Sequence, residues 1–191
     1  MTTAALLLAA GRGRRYVGPE HKLLASFRGR PLASWAMDAA STAGLDELVV
    51  VVGAGIEADG LRALVPDGTR LVVNARAAEG QATSLAAGVE AVDRAGHDAV
   101  VVGLADQPLV PAEAWRLVAT TAPEAPVVAA TFAGARRPPV RLDRSVWPLL
   151  PTAGDEGARA LLRSRPELVT EVPCPGDPAD IDTPEDLARW S

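Results

Sequence analysis

The chain is poor in sulfur and imidazole: Cys174 is its single cysteine, and His21 and His97 are its only histidines. One thiol cannot form an internal disulfide, which fits a reducing compartment. Cys174 sits between Pro173 and Pro175 with no histidine near it in sequence, so it reads as a small buried or edge residue and not as a nucleophile. So few histidines argue against a histidine-rich zinc site, and His97, between an apparent helix and a strand, is expected in solvent. Basic excess is also missing. The formal net charge is −5, whereas a general nucleic-acid binder presents a basic surface. No apolar stretch reaches the roughly 18 residues of a membrane span, and the N-terminal one runs straight into Gly11-Arg12 without a signal-peptide cleavage context. The expected setting is the cytoplasm, with neither membrane nor nucleic acid as partner. Repeats, low-complexity tracts and long linkers are absent as well. The 191 residues suit a single domain, 1–191, with a substantial core.

What is present is a rhythm. Apolar runs at Ala4–Ala9, Glu47–Val52, Arg70–Val73 and Ala99–Leu104 alternate with helical patterns at Pro31–Thr42, Glu57–Leu64, Gln81–Val92 and Pro111–Thr120. Continuous apolar strands alternating with helices predict an α/β fold, a mostly parallel, Rossmann-like sheet covered on both faces. Pro31 and Pro111 suit first helical turns. After Pro123 the rhythm changes. Val127–Phe132 and Pro139–Leu142 are short, with Gly134-Ala135-Arg136-Arg137 between them, which predicts a small antiparallel excursion with a positive tip. Helices at Arg144–Leu150 and Glu156–Arg163, a strand at Leu168–Val172 and a helix at Pro184–Trp190 complete the reading.

The most informative segment is the opening, where Ala4–Ala10 breaks into Gly11-Arg12-Gly13-Arg14-Arg15, with Lys22 a few residues on. A loop at the carboxyl end of a strand lets backbone wrap phosphate. Glycine allows close approach, and arginine and lysine neutralise oxygen charge. Arg12, Arg14 and Arg15 repel one another unless an anion compensates. The spacing fits neither the Walker pattern nor the dinucleotide fingerprint.

Leu8-Ala9-Ala10-Gly11-x-Gly13-x-Arg15 followed by Lys22-Leu23-Leu24 resembles the signature loop of nucleotidyltransferases with a MobA-like fold, most of all the molybdenum cofactor cytidylyltransferases. The resemblance continues in order through Asn74 with Glu79-Gly80 and Ser84-Leu85, then Ala105-Asp106-Gln107-Pro108-Leu109. It ends with Gly154-Asp155-Glu156-Gly157-Ala158-Arg159 and Asp180-Ile181-Asp182-Thr183-Pro184-Glu185-Asp186-Leu187, so it spans nearly the whole chain. It departs at Arg137-Pro138-Pro139, where Gly-His-Pro is usual, and at Ala75, where proline is common. The Arg15–Lys22 loop is also one residue longer than typical.

Asp106 follows an apolar strand and precedes Gln107-Pro108, a position suited to gripping a hard cation or to capping a turn. The Thr183–Asp186 spacing suits a capping box, which leaves Asp182 able to face a site. The resemblance implies Mg2+ on Asp106 and Asp182, with Arg15, Lys22 and Asp106 as the catalytic set. It implies nucleotide contacts from Leu8, Ala9, Ala10, Gly11, Gly13, Arg15, Lys22, Asn74, Gly80 and Ser84. Asn74 equally suits a turn, Ser84 an ordinary helix face, Lys22 the surface and Asp155 a helix N-cap. Arg137, Asp155 and Arg159 are candidates for the acceptor, together with Arg136. In this family Ala10, where a second glycine accompanies guanosine transfer, implies CTP.

The implied reaction is nucleotidyl transfer from CTP to the phosphate of molybdopterin, releasing pyrophosphate, with a molybdoenzyme as client. Such transfer rests on positioning and charge neutralisation. The alternatives are transfer to another phosphorylated small molecule (a sugar, polyol or hydroxy-acid phosphate), or a non-catalytic carrier that hands cofactor to an apo-enzyme. Redox recruitment of the fold lacks a dinucleotide fingerprint.

Overall fold

The computed structural model describes residues 1–191 except Arg12, Arg14, Pro19 and Pro123, and except the side chains of residues 56–58. The anion-neutralising reading of Arg12 and Arg14 therefore lies outside the described residues. In chain order the elements are β1 (Thr3–Ala9), β2 (Ser26–Phe27), β3 (Arg30–Pro31), α1 (Leu32–Ser41), β4 (Glu47–Gly53), α2 (Ile56–Arg62), β5 (Arg70–Asn74) and α3 (Gln81–Arg94). Then come β6 (Ala99–Leu104), α4 (Ala112–Thr120), β7 (Val127–Phe132), β8 (Ala135–Asp143), α5 (Ala158–Ser164), β9 (Val169–Pro173) and α6 (Pro184–Trp190).

Among the described residues seven strands form one sheet in the order β5-β4-β1-β6-β8-β7-β9, and β2 with β3 forms a separate antiparallel pair. Pairings among β5, β4, β1 and β6 are parallel, as is β7 with β9, while β8 runs antiparallel to both its neighbours. The all-apolar strands follow from burial on both faces. Ala5, Leu7 and Ala9 of β1 pack with Leu32 and Met37 of α1 and Trp115 of α4. Ala4, Leu6, Leu8 and Ala10 face the other side, against Leu85 and Val89 of α3 and Leu161 and Leu162 of α5. Each such leucine or valine contributes about 1.5–3 kcal/mol by leaving water. Among the described residues no helix is long and apolar enough to cross a membrane.

Four sequence expectations need correction. Arg136 and Arg137 are not a hairpin tip. They lie inside β8, paired with Thr131 and Ala130, because Ala133 and Gly134 both take positive φ, 49° and 81°, and make the two-residue turn that matches strand twist. The helix expected from Glu156 begins only at Ala158, since Gly157 has φ 52° and ψ −135°, and no side chain, Asp155 included, caps it. Pro31 and Pro111 stand just before α1 and α4 with extended ψ. His97 is not solvated: it is buried, with Nε2 2.9 Å from Glu47 Oε2. Burial pushes the Glu47 carboxyl up, but hydrogen bonds from His97 and Arg70 outweigh that and hold it below its ordinary value. A buried polar group finds a partner, and here the partner is a strand's first residue.

Gly103 of β6 shows how closely α4 lies on the sheet. A Cβ there would stand 2.3 Å from Cζ2 and 2.5 Å from Cη2 of the buried Trp115 indole. Gly103→Ala is expected to lower stability by about 1–3 kcal/mol through overpacking. Denaturant unfolding followed by tryptophan fluorescence measures this, and an unchanged midpoint would contradict the packing described.

Candidate active site

After β1 the chain builds β4 on one side of it and later β6 on the other. Such a switch opens a crevice at the carboxyl ends of the strands, and a cavity of about 380 Å³ lies there. Leu8 and Ala10 line it while Ala9, between them, faces the opposite layer, as strand alternation requires. Gly11 and Gly13 continue the wall. A Cβ on Gly13, whose φ is 56°, would stand 3.1 Å from Lys22 Cβ, so the glycine lets the loop close on the lysine stem. His21 fixes the same loop, with Nε2 3.1 Å from Gly11 O and Nδ1 accepting from the Leu23 N–H at 3.3 Å.

Among the described residues that line this cavity, Lys22, Arg15, Asp106 and Asp182 form one linked charged cluster. Lys22 Nζ donates to Asp106 Oδ2 at 2.7 Å and to Asp182 Oδ1 at 2.8 Å. Arg15 donates to Asp182 Oδ2 at 2.7 Å. The Lys22 side chain is only 6% exposed, whereas the two aspartates are 24% and 22% exposed. Burial alone pushes the ammonium's pKa down, but the carboxylates, Asp106 foremost, outweigh it and hold the group above its ordinary value. The lysine is therefore a buried, charged group and not a surface one.

The two aspartates come from distant segments joined by a backbone clamp. Gln107, 3% exposed, donates Nε2 to Pro178 O at 3.1 Å and to Asp180 Oδ1 at 2.9 Å. Ile181 N–H donates to Asp106 O at 3.0 Å, and its side chain is fully buried. Downstream, Thr183 and Asp186 form the capping box of α6, and Asp186 also accepts from the Asp182 N–H. The Asp182 carboxylate is left to face Lys22. Burial, with the Asp106 charge adding to it, pushes the Asp180 carboxyl up, against the Gln107 hydrogen bond. Among the described residues no group of three or more His, Cys, Asp or Glu side chains could hold a metal ion. Asp106 and Asp182 are nevertheless a hard oxygen pair of the kind Mg2+ takes when phosphate and water complete its shell.

The opposite wall is the start of α3. Gly80, Gln81 and Ser84 line the cavity with Glu79 and Asp155. Gly80 has φ 119°, and a Cβ on it would stand 2.4 Å from Gly154 O. Ala82 N–H donates to that same oxygen at 2.9 Å, so the 154–157 loop is pinned to the helix start. Asn74 does not reach the cavity. It is buried, its amide donates to Thr83 Oγ1 and Ser84 Oγ at 2.9 Å each, and its Oδ1 accepts from the Arg76 N–H. With both donors and its oxygen engaged, it supports Ser84 from behind.

The acceptor candidates divide between two places. Asp155 is on the first cavity, while Arg137 and Arg159 line a second, of about 300 Å³. Its other walls are mainly apolar, including Val102, Pro138, Val140 and Leu162. Arg136 is tied to Glu171 and Arg163 to Glu156, but among the described residues Arg137 and Arg159 have no carboxylate within salt-bridge distance. The cavities meet at Leu8, Gln81 and Leu104. Sequence reasoning missed Gln81, the polar member of that shared wall, and the tether made by Gln107. The Asp-Gln-Pro motif contained the second but not its partner 71 residues away.

Residues 5–169 match the MobA-like NTP transferase domain. The chain is 33% identical over 191 residues to purine catabolism protein PucB of Bacillus subtilis (strain 168), covering 95% of this chain and 92% of that protein. It is equally 33% identical over 196 residues to nicotine blue oxidoreductase of Paenarthrobacter nicotinovorans, covering 96% and 94%. The crystal structure of Rv0371c from Mycobacterium tuberculosis H37Rv superposes with a TM-score of 0.86 at 30% identity, over 99% of this chain and 96% of that one. A second structure of Rv0371c, a complex with manganese, gives 0.82 at 27% identity over 100% and 98%.

Cys174 stands apart from this machinery. Burial, with the Glu113 charge adding to it, pushes its thiol up to about 11, so at pH 8 only about a thousandth is thiolate. Iodoacetamide is expected to alkylate the native protein at pH 8 about two orders of magnitude more slowly than the unfolded chain, with the rate climbing toward pH 11. Mass spectrometry of quenched samples follows this, and equal rates would contradict the burial.

Proposed function

This chain belongs to the MobA-like NTP transferase family, and we propose that it transfers the cytidylyl group of CTP to the phosphate of molybdopterin, using Mg2+ and releasing pyrophosphate. Nucleotidyl transfer is the family's activity; nucleotide, acceptor and metal are the proposal. The observation that carries it is the abutment of a charged cavity and an apolar one across Leu8, Gln81 and Leu104. One suits a triphosphate, the other a flat acceptor body. Sugar hydroxyls in the second cavity would face mostly aliphatic walls and lose hydrogen bonds, whereas a planar heterocycle keeps its faces against Val102, Val140 and guanidinium planes.

Asp106 and Asp182 would hold the magnesium, which when bound neutralises phosphate oxygens as a Lewis acid. Gly11 and Gly13 leave room for the triphosphate to approach the backbone. Lys22 Nζ and Arg15 meet the charge that shifts as an acceptor phosphate oxygen bonds to the α-phosphorus and the bond to pyrophosphate breaks. Arg137 and Arg159 are free to grip the acceptor's anion, and Gln81 stands where the substrates would touch. No protein nucleophile is required. The product would pass to a molybdoenzyme client.

Pro138 favours a second reading, a sugar, polyol or hydroxy-acid phosphate as acceptor, because a proline on the acceptor wall offers no imidazole. Pyrophosphate release with Mg2+, crossing CTP, GTP, ATP and UTP with molybdopterin and a panel of such phosphates, separates the two. Turnover with a sugar phosphate alone would replace the acceptor. Nucleotide binding without any turnover would favour the carrier, and reduced-cofactor oxidation would favour a redox enzyme.

Asp106→Ala is expected to lower turnover by about 100-fold or more; because it leaves Asp182 as the remaining carboxylate on the buried Lys22, turnover is compared on protein whose fold is checked by circular dichroism, and unchanged turnover would remove its role. Ala10 presents its methyl to the same wall. Ala10→Gly should raise the ratio of GTP to CTP kcat/KM by about tenfold, the scale of a methyl-sized change in a pocket, and an unaltered ratio would remove the basis for naming cytidine.

A further inference from the structure

Lys22 lies between the two carboxylates proposed above as metal ligands. Its ammonium spans Asp106 Oδ2 and Asp182 Oδ1 at 2.7 and 2.8 Å, and Arg15 donates to Asp182 Oδ2. Three of the four carboxylate oxygens are therefore engaged by the protein's own cations. The pairing is not a loose surface contact, because the Lys22 side chain is 6% exposed. Its backbone is fixed in a short helical turn, with Leu24 N–H on His21 O and Ala25 N–H on Lys22 O, and Gly13 lies behind its Cβ. A divalent ion arriving alone must displace an ammonium that, among the described residues, has no further carboxylate at salt-bridge distance, and a positive charge left a few ångströms away would oppose it. An ion arriving on a triphosphate brings its own replacement partner. The phosphate oxygens can take over Lys22 while the ion takes over the carboxylates.

We infer that Lys22 keeps the Asp106–Asp182 pair closed to free divalent cations, so that the true ligand of this site is the metal–triphosphate complex. The inference rests on the reading of the two aspartates as metal ligands. It gives Lys22 a role before chemistry as well as during it: the free protein carries a balanced cluster of two carboxylates and two cations, and the nucleotide exchanges one set of charges for another. Among the described residues the cavity offers Lys22 no further carboxylate at salt-bridge distance, so its release depends on the incoming anion.

The test is Mn2+ binding to the full chain, read from the relaxation enhancement of water protons, which separates protein-bound from nucleotide-bound Mn2+. The wild type is measured alone and with α,β-methylene CTP, and Lys22→Met is measured alone. Wild type is expected to take up Mn2+ only with the analogue. Lys22→Met should bind Mn2+ without nucleotide about tenfold or more tightly than wild type, as removal of a neighbouring positive charge requires. Adding Asp182→Asn to that variant should abolish the gain. Where Lys22→Met folds poorly, Lys22→Gln, which keeps a polar head without the charge, is measured in its place, and the same gain is expected. Wild type binding Mn2+ alone as tightly as with the analogue, or as tightly as folded Lys22→Met, overturns the inference while leaving the metal ligands standing. No bound Mn2+ in any sample overturns the metal reading and the inference together.

Discussion

Everything in the cavity depends on the grip that the end of β6 takes on the segment before α6. Asp106 and Asp182 belong to opposite regions of the chain, and two carboxylates close together repel unless something holds them. Gln107 supplies part of the hold by donating to Pro178 and Asp180, and the Ile181 N–H supplies more by donating to the Asp106 carbonyl. The fully buried Ile181 side chain anchors the segment in the core, and the capping box at Thr183 ends it in a helix. Hydrophobic burial and backbone hydrogen bonds thus meet the electrostatic demand of bringing the aspartates to one ammonium.

Most of the scaffold was legible in the sequence because its signals are local. An apolar run that ends in glycine defines β1 and its loop, and Val100–Leu104 followed by Asp106 defines the end of β6. Thr183-Pro184-Glu185-Asp186 marks a helix start that the structure reproduces in each hydrogen bond of the capping box. What escaped was whatever needed a partner from elsewhere. His97 looks solvated until Glu47, across the sheet, accepts a hydrogen bond from its Nε2. Asn74 has the right chemistry for a nucleotide but is consumed by Thr83 and Ser84. Arg136 and Arg137 read as a hairpin tip because the positive φ of Ala133, a residue without that preference, is set by pairing of β7 with β8. The β2–β3 pair is too short to carry any periodic signal.

The candidate site is similarly divided. Of the residues the sequence singled out, Gly11, Gly13, Lys22, Asp106 and Asp182 line the charged cavity, whereas Ala9 and Asn74 do not. The sequence did not separate Asp155 from Arg137 and Arg159, because one segment, 154–159, borders both cavities. Charge decides what each cavity can hold. The first presents converging ions and open backbone; the second presents aliphatic walls edged by guanidinium groups. Their shared border is Leu8, Gln81 and Leu104, and on the proposed reading the two substrates would meet there.

The contact of Gly80 with Gly154 has a mechanical meaning. Neither residue carries a side chain, so backbone rests on backbone, with an Ala82 N–H bond across the joint. Side chains absorb small displacements by changing rotamer, and at the Gly80–Gly154 contact neither residue has one. The 154–157 loop is thereby tied to the first turn of α3, which carries Ser84 with Asn74 behind it. Asp155 on one cavity and Glu156 on the other ride on that same loop. On the proposed reading of the two cavities as substrate sites, the fit of one ligand would bear on the shape offered to the other.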